Sequence, residues 1–207
     1  MFAMCGFCIN RPTSEATKTN NILSSDQSPA LIEKDDVKLQ GTKQYDGTLI
    51  RRFYNHPQGI TYENNPSVFG RILEGSLPCR PLMETEELLA FHDKYPRAKF
   101  HALVIPKRYI QTVKHLRPDM DLNLVEEMTQ IALNILQQEM PDAVIENDYM
   151  LVYHVPPFNS VNHLHLHVLA PSSKMNPVFR NIKYQPGTLW CTDADTVLAS
   201  LSNGKRL

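Results

Sequence analysis

Cysteine is scarce in this chain: four residues among 207, at positions 5, 8, 79 and 191. So few, so widely spread, cannot form the disulfide framework of a small secreted domain. Cys5-Gly6-Phe7-Cys8 is a CxxC pair, but no second pair follows to complete a tetrahedral zinc site. A run of some 18 or more apolar residues is also lacking, so no membrane-spanning helix is expected. The N-terminus shows no basic segment followed by an apolar stretch and a small-residue cleavage site, so the expected compartment is the cytoplasm or nucleus. Nor is there an excess of positive charge. Lys and Arg number 21 against 22 Asp and Glu, a net charge of −1. Affinity for duplex nucleic acid comes largely from neutralising phosphates with Lys and Arg, so neither nucleic acid nor membrane is an expected partner.

The hydrophobic content of 42% is that of a globular protein, and the length suits one domain of ordinary size. Residues 1–47 are rich in Ser, Thr, Asn, Asp, Gln and Lys and are expected to form an extension without a packed core. Residues 48–65, with Leu49, Ile50, Phe53, Tyr54, Ile60 and Tyr62, read as a connecting strap or an extra strand. The folded domain is expected over 66–207.

Within it, Asn65-Pro66-Ser67 opens a short helix carrying Val68, Phe69, Ile72 and Leu73 at helical spacing until Gly75. Strands are expected at 78–84, 87–92 and 99–105. A long helix is expected between Pro118 and Met140, where Leu124, Val125, Met128, Ile131, Ala132, Ile135 and Leu136 form one apolar stripe. Such a stripe serves as core or as a dimer interface. Strands at 148–154 and 162–169 complete an antiparallel sheet, and Thr192 or Asp193 caps a short terminal helix. The fold class is therefore α+β.

The most informative segment is Asn162-His163-Leu164-His165-Leu166-His167-Val168-Leu169-Ala170-Pro171. Successive side chains of a strand point to opposite faces, so three imidazoles would share one face at about 7 Å spacing, with Leu164, Leu166 and Val168 on the other. Three of the chain's eight histidines sit in five positions, too concentrated for incidental surface residues. A metal site is the weaker reading, because the outer two histidines of a straight strand are too far apart to share one ion at bonds of about 2.1 Å. A phosphate cradle and nucleophilic catalysis by a neutral imidazole are the stronger readings and are compatible.

These residues resemble the signature of the histidine-triad nucleotide hydrolases and transferases. The preceding stretch from Tyr153 to Asn162 is similar to the third subtype of the Hint branch, the adenosine 5'-monophosphoramidases. Val68 to Gly75, Leu89 to Asp93 and His101 to Lys107 agree in order and spacing, so the resemblance runs from about residue 66 to the C-terminus. It implies a histidine-triad fold: an antiparallel sheet with one long packed helix and a short N-terminal helix. It implies His165 as nucleophile, with His163 and His167 orienting it and contacting the α-phosphate. His101 matches the family's fourth histidine, and Ser160 matches a hydroxyl that helps protonate the leaving amine. Asp93 matches the ribose ligand, and Val68, Phe69, Ile72 and Phe91 match the wall of a purine slot. His154 stands where simpler members have an Asn near the ribose phosphate, in a loop running to Asn159 that also departs from theirs. The family's zinc-binding CxxC would fall at Ser67-Val68-Phe69-Gly70, with Tyr109 at a ligand histidine, so no metal and no cofactor are expected. The implied substrate is a purine nucleotide of the AMP-amine or aminoacyl-adenylate type, and the implied assembly is a homodimer using part of the 124–136 stripe.

Two alternatives remain open. Asp93-Lys94-Tyr95-Pro96-Arg97-Ala98-Lys99 resembles the aprataxin-like deadenylases of adenylylated nucleic-acid ends. The other is a non-catalytic nucleotide-binding scaffold, which would have no need of the middle histidine.

Overall fold

In the computed structural model, residues 42–50 and 65–207 are described. Seven strands form one antiparallel sheet in the order β1-β2-β3-β4-β6-β5-β7. They are β1 (Lys43–Gln44), β2 (Pro81–Glu84), β3 (Leu88–His92), β4 (Phe100–Pro106), β5 (Met150–His154), β6 (Leu166–Ala170) and β7 (Cys191–Asp193). The helices are α1 (Val68–Leu73), α2 (Pro118–Glu139), α3 (Pro141–Ile145) and α4 (Ala194–Ser202).

The period of two along the strands sorts the core onto two faces. Leu88 and Ala90 of β3, Ala102 and Val104 of β4, and Leu166, Val168 and Ala170 of β6 pack with α2 and α4. Between them, Leu89, Phe91, Leu103 and Ile105 face α1 on the opposite side. His101 and His167 occupy alternate positions of that second face, and this is what aims them away from the main core. The stripe from Leu124 to Leu136 is at most 7% exposed within the single chain. Burying each of its Leu, Val, Ile and Met side chains stabilises the fold by about 1.5–3 kcal/mol. The stripe is therefore core, and none of it is left over for a dimer interface.

Caps fix the helix starts. Ser67 accepts from the Gly70 N–H at 3.2 Å, Pro118 occupies the first turn of α2, and Asp193 accepts from the Thr196 N–H at 2.6 Å.

Two expectations need correction. β1 lies inside the span 1–47 expected to be unpacked, because Lys43 and Gln44 pair with Glu84 and Met83 and the Tyr45 hydroxyl donates to Glu84. Residues 1–41 lie outside the described residues. In the strap, Ile50 bridges Cys79 through both backbone bonds, and 51–64 lie outside the described residues. Second, the strand expected from 162 pairs only from Leu166, because Leu164 N–H turns instead to the Ile110 carbonyl at 2.7 Å. The long helix ends where expected, and the chain re-enters a helix at Pro141, where proline suits a first turn as well as it ends the preceding helix.

Candidate active site

The register of three neighbouring strands assembles the site. His167 on β6 lies opposite Leu103 of β4 and Val152 of β5. His101 sits two residues before Leu103, and His154 two residues after Val152. Each is thus a diagonal neighbour of His167 on the same face, a spacing that long side chains and rings can bridge.

The hydrogen bonds have one consistent direction. Arg97 N–H donates to His101 Nδ1 at 3.2 Å, so His101 carries its proton on Nε2 and donates it to His167 Nδ1 at 2.9 Å. His167 then donates from Nε2 to His154 Nδ1 at 3.1 Å, and His154 donates from Nε2 to the Lys183 carbonyl at 3.2 Å. A backbone donor at one end and a backbone acceptor at the other set the tautomer of all three rings. Tyr184, 1% exposed, packs on this relay with its ring centroid 5.2 Å from those of His154 and His167 and 6.0 Å from that of His101.

His163 and His165 enter from the segment ahead of β6. His165 donates from Nδ1 to the His163 carbonyl at 2.6 Å, which leaves its lone pair on Nε2. Among the described residues no donor meets that nitrogen. His163 donates from Nε2 to the Pro106 carbonyl at 2.8 Å and accepts at Nδ1 from Asn65 at 2.7 Å. Both of its nitrogens are engaged, as both of His167's are in the relay, so neither ring presents a free nitrogen to a phosphate in this arrangement.

Every one of these rings is held neutral. Burial is the first cause, and it lowers the pKa of His101, His154 and His163 to about 4. His165 and His167 are lowered too, again chiefly by burial, with the His165 ring the next contributor for His167. Burial and the nearby Arg97 likewise lower Lys183.

The remaining expected site residues divide. Asp93 follows β3 with one carboxylate oxygen accepting from Tyr95 N–H at 2.6 Å and the other 3.6 Å from His101 Nε2. Phe69, Ile72 and Phe91 are buried together, and the Phe69 ring meets Phe91, His163 and His165 edge-on at centroid distances of 5.7, 5.7 and 5.3 Å. Val68 is 40% exposed at the start of α1. His154 and Asn159 line a small cleft with His163 and His165. Ser160 is exposed on the turn, between Asn159 and Val161, which line that cleft. Asn159 spends its amide on its own turn, donating to the Val161 carbonyl and to Asn162. Trp190 donates its indole N–H to the Ile182 carbonyl and meets Phe158 edge-on.

Two triplets of ligand-type atoms lie within 4.8 Å of one another, His154/His165/His167 and Asp93/His101/His167. Both nitrogens of His167 are engaged in the relay, so a divalent ion at either place would have to displace those hydrogen bonds. Asn65, Arg97, Lys183 and Tyr184 were not foreseen. Asn65 carried only the signal of a helix start, and Tyr184 none at all.

The family model described as "Scavenger mRNA decapping enzyme C-term binding" matches residues 66–183. The chain is 38% identical over 123 residues, 59% of its length and 80% of the relative's, to the bifunctional adenosine 5'-phosphosulfate phosphorylase/adenylylsulfatase HINT4 of Arabidopsis thaliana. It is 34% identical over 142 residues, 68% of its length and 83% of the relative's, to the adenosine 5'-monophosphoramidase HINT3 of Mus musculus. A solved HIT family hydrolase from Legionella pneumophila Philadelphia 1 is 33% identical, with 50% of this chain and 90% of that one covered and a TM-score of 0.46.

Proposed function

The chain belongs to the histidine-triad superfamily and is a hydrolase of that kind acting on nucleotides, and we propose that it cleaves adenosine 5'-monophosphoramidates, in which AMP is joined through nitrogen to an amine. The observation that carries this reading is His165, with its proton fixed on Nδ1 by the His163 carbonyl and its Nε2 lone pair unspent. Nε2 attacks the α-phosphorus, the phosphorus–nitrogen bond breaks, and the amine departs with a proton taken from solvent water, which the later hydrolysis returns. Water then opens the adenylyl-histidine to AMP and returns the lone pair to Nε2. Splitting one difficult displacement into two is the general merit of such a nucleophile. In this scheme Asp93 holds the ribose, and Val68 and Ile72 border the base. His163 orients His165 through its carbonyl rather than touching phosphate.

A second reading has an observation of its own. Arg97 and Lys183 place two cations beside the relay, both felt at His101 and the latter also at His154 and His165. Cations there would favour an anionic leaving group such as the sulfate of an adenylyl sulfate. Turnover of AMP-lysine, adenylyl sulfate and 5'-adenylylated DNA measured side by side decides between them. The proposal expects AMP-lysine to have the highest kcat/KM. A higher value for adenylyl sulfate would move the reaction to the second reading, and one for the adenylylated DNA to a deadenylase. Failure of all three to turn over would leave a nucleotide-binding scaffold.

His154 separates into two roles by substitution. His154→Asn keeps an acceptor for His167 Nε2–H and is expected to retain turnover within a few-fold. His154→Ala removes it and leaves a buried N–H of His167 unpaired. Its kcat is expected to fall about fivefold to tenfold, the worth of one such bond. Equal rates for the two variants would show that the relay has no bearing on turnover.

A further inference from the structure

We infer that Asn65 is a positioning residue, which locks helix α1 to the triad and through His163 fixes the nucleophile. The inference rests on the reading of His165 as nucleophile. Asn65 is 6% exposed, and its amide can take only one orientation. Its Oδ1 accepts from both Ser67 N–H at 3.1 Å and Ser67 Oγ–H at 2.7 Å, so its Nδ2 must face His163 Nδ1, 2.7 Å away. Ser67 Oγ in turn accepts from Gly70 N–H, which makes the lock part of the first turn of α1.

A donor at Nδ1 decides the state of His163. The ring must carry its proton on Nε2, where the Pro106 carbonyl accepts it, and cannot take a second proton on Nδ1 without facing Asn65 N–H. With both nitrogens held, residue 163 is anchored by its side chain in a stretch that the β6 ladder does not reach, beside the single backbone bond from Leu164 to Ile110. Its carbonyl therefore stays where it accepts His165 Nδ1–H at 2.6 Å. The same helix turn carries Phe69, whose ring touches both His163 and His165. Space confirms how close the fit is. A Cβ on Gly70 would lie 2.3 Å from the Asn65 carbonyl oxygen and 2.7 Å from its Cγ, so only glycine lets α1 sit this near the lock. The elements bordering the proposed base slot and the reacting nitrogen are thus joined through one amide.

The test uses the full chain with Asn65→Asp and Asn65→Ala, read by ¹⁵N NMR of the histidine rings and by kinetics on AMP-lysine. Asn65→Asp keeps the acceptor for Ser67 but sets a carboxylate oxygen against His163 Nδ1. It should turn His163 from the neutral Nε2–H tautomer into an imidazolium at neutral pH, which the ring ¹⁵N shifts report. Asn65→Ala should leave both tautomers populated. For each variant kcat should fall about tenfold to a hundredfold with KM changed far less, by analogy with the outer partners of metal-bound histidines, which fix a ring in the same way. For Asn65→Asp the pH dependence of kcat should shift with the His163 titration. The inference is overturned if both variants fold, as judged by circular dichroism, and show parental His163 shifts. Parental kcat beside altered shifts overturns it equally. Because the NMR readout needs no substrate, a parent protein inert toward AMP-lysine would sink the phosphoramidase reading while leaving the lock itself decided by the shifts.

Discussion

His165→Ala is expected to lower turnover of an AMP-amine by several orders of magnitude while the affinity for AMP changes only a few-fold. The asymmetry follows from what the side chain does. Its Nε2 forms a covalent bond during the reaction, and removing a covalent catalyst acts on the chemical step far more than on ground-state binding. The surroundings support the same split. Phe69, Ile72 and Phe91 pack in one cluster with residues of β3 and β4, so the proposed slot keeps most of its wall without this imidazole. The ring is 5% exposed and meets Phe69 edge-on, so its loss opens a cavity as well. Thermal denaturation of the variant separates that cost from the chemical one. Single-turnover kinetics with acid-quenched protein should also detect an adenylyl group on the parent and none on the variant. A variant turning over near the parental rate would remove both the mechanism and the assignment of the nucleophile.

His165 was legible in the sequence because strand periodicity needs only neighbours in the chain. His-Leu-His-Leu-His places imidazoles and leucines on opposite faces whether or not a ladder forms, and the leucines do enter the main core even where pairing fails before Leu166. The relay was not legible. His101, His154 and His167 come together through the register of β4, β6 and β5, and nothing local to any of them encodes that register. The same holds for Asn65 and His163, which are 98 positions apart in the chain. Helix α2 shows the opposite case, in which a pattern fixes an element without fixing its use. Its stripe fitted core and interface equally well, and only the packing of α2 on the sheet and α4 assigns every one of those side chains to the core. Ser160 is a third case. Its match to a family position says where it stands in the chain, whereas its side chain's reach depends on a turn that Asn159 ties to Val161 and Asn162.

Acid should both unfold this protein and switch it off, within one window, and the buried histidines set where that window lies. An unfolded histidine titrates near 6.5, whereas His101, His154 and His163 titrate at about 4 in the fold because burial disfavours their charged form. Below 6.5 the unfolded chain therefore takes up protons that the folded chain refuses. Stability is complete above that pH and is lost as the pH falls toward 4, by about 1.4 kcal/mol per pH unit for each such residue. The three together give a slope of about 4 kcal/mol per pH unit in mid-window, large against a typical stability of about 5–15 kcal/mol. His165 and His167, shifted the same way, steepen it. Protonation also costs hydrogen bonds. A second proton on His167 would face the Nε2–H of His101, and one on His154 the Nε2–H of His167. Urea midpoints measured at pH 7, 6 and 5 should fall steeply, and His154→Asn, which deletes one of the titrating rings, should make the fall shallower by about 1.4 kcal/mol per pH unit. Because the neutral imidazole is the form that attacks, the acid limb of kcat/KM should lie well below 6.5 wherever the chain is still folded. Equal urea midpoints at pH 7 and pH 5, or an acid limb centred at 6.5, would mean that these rings are solvated and free to charge, and the relay would not hold as drawn.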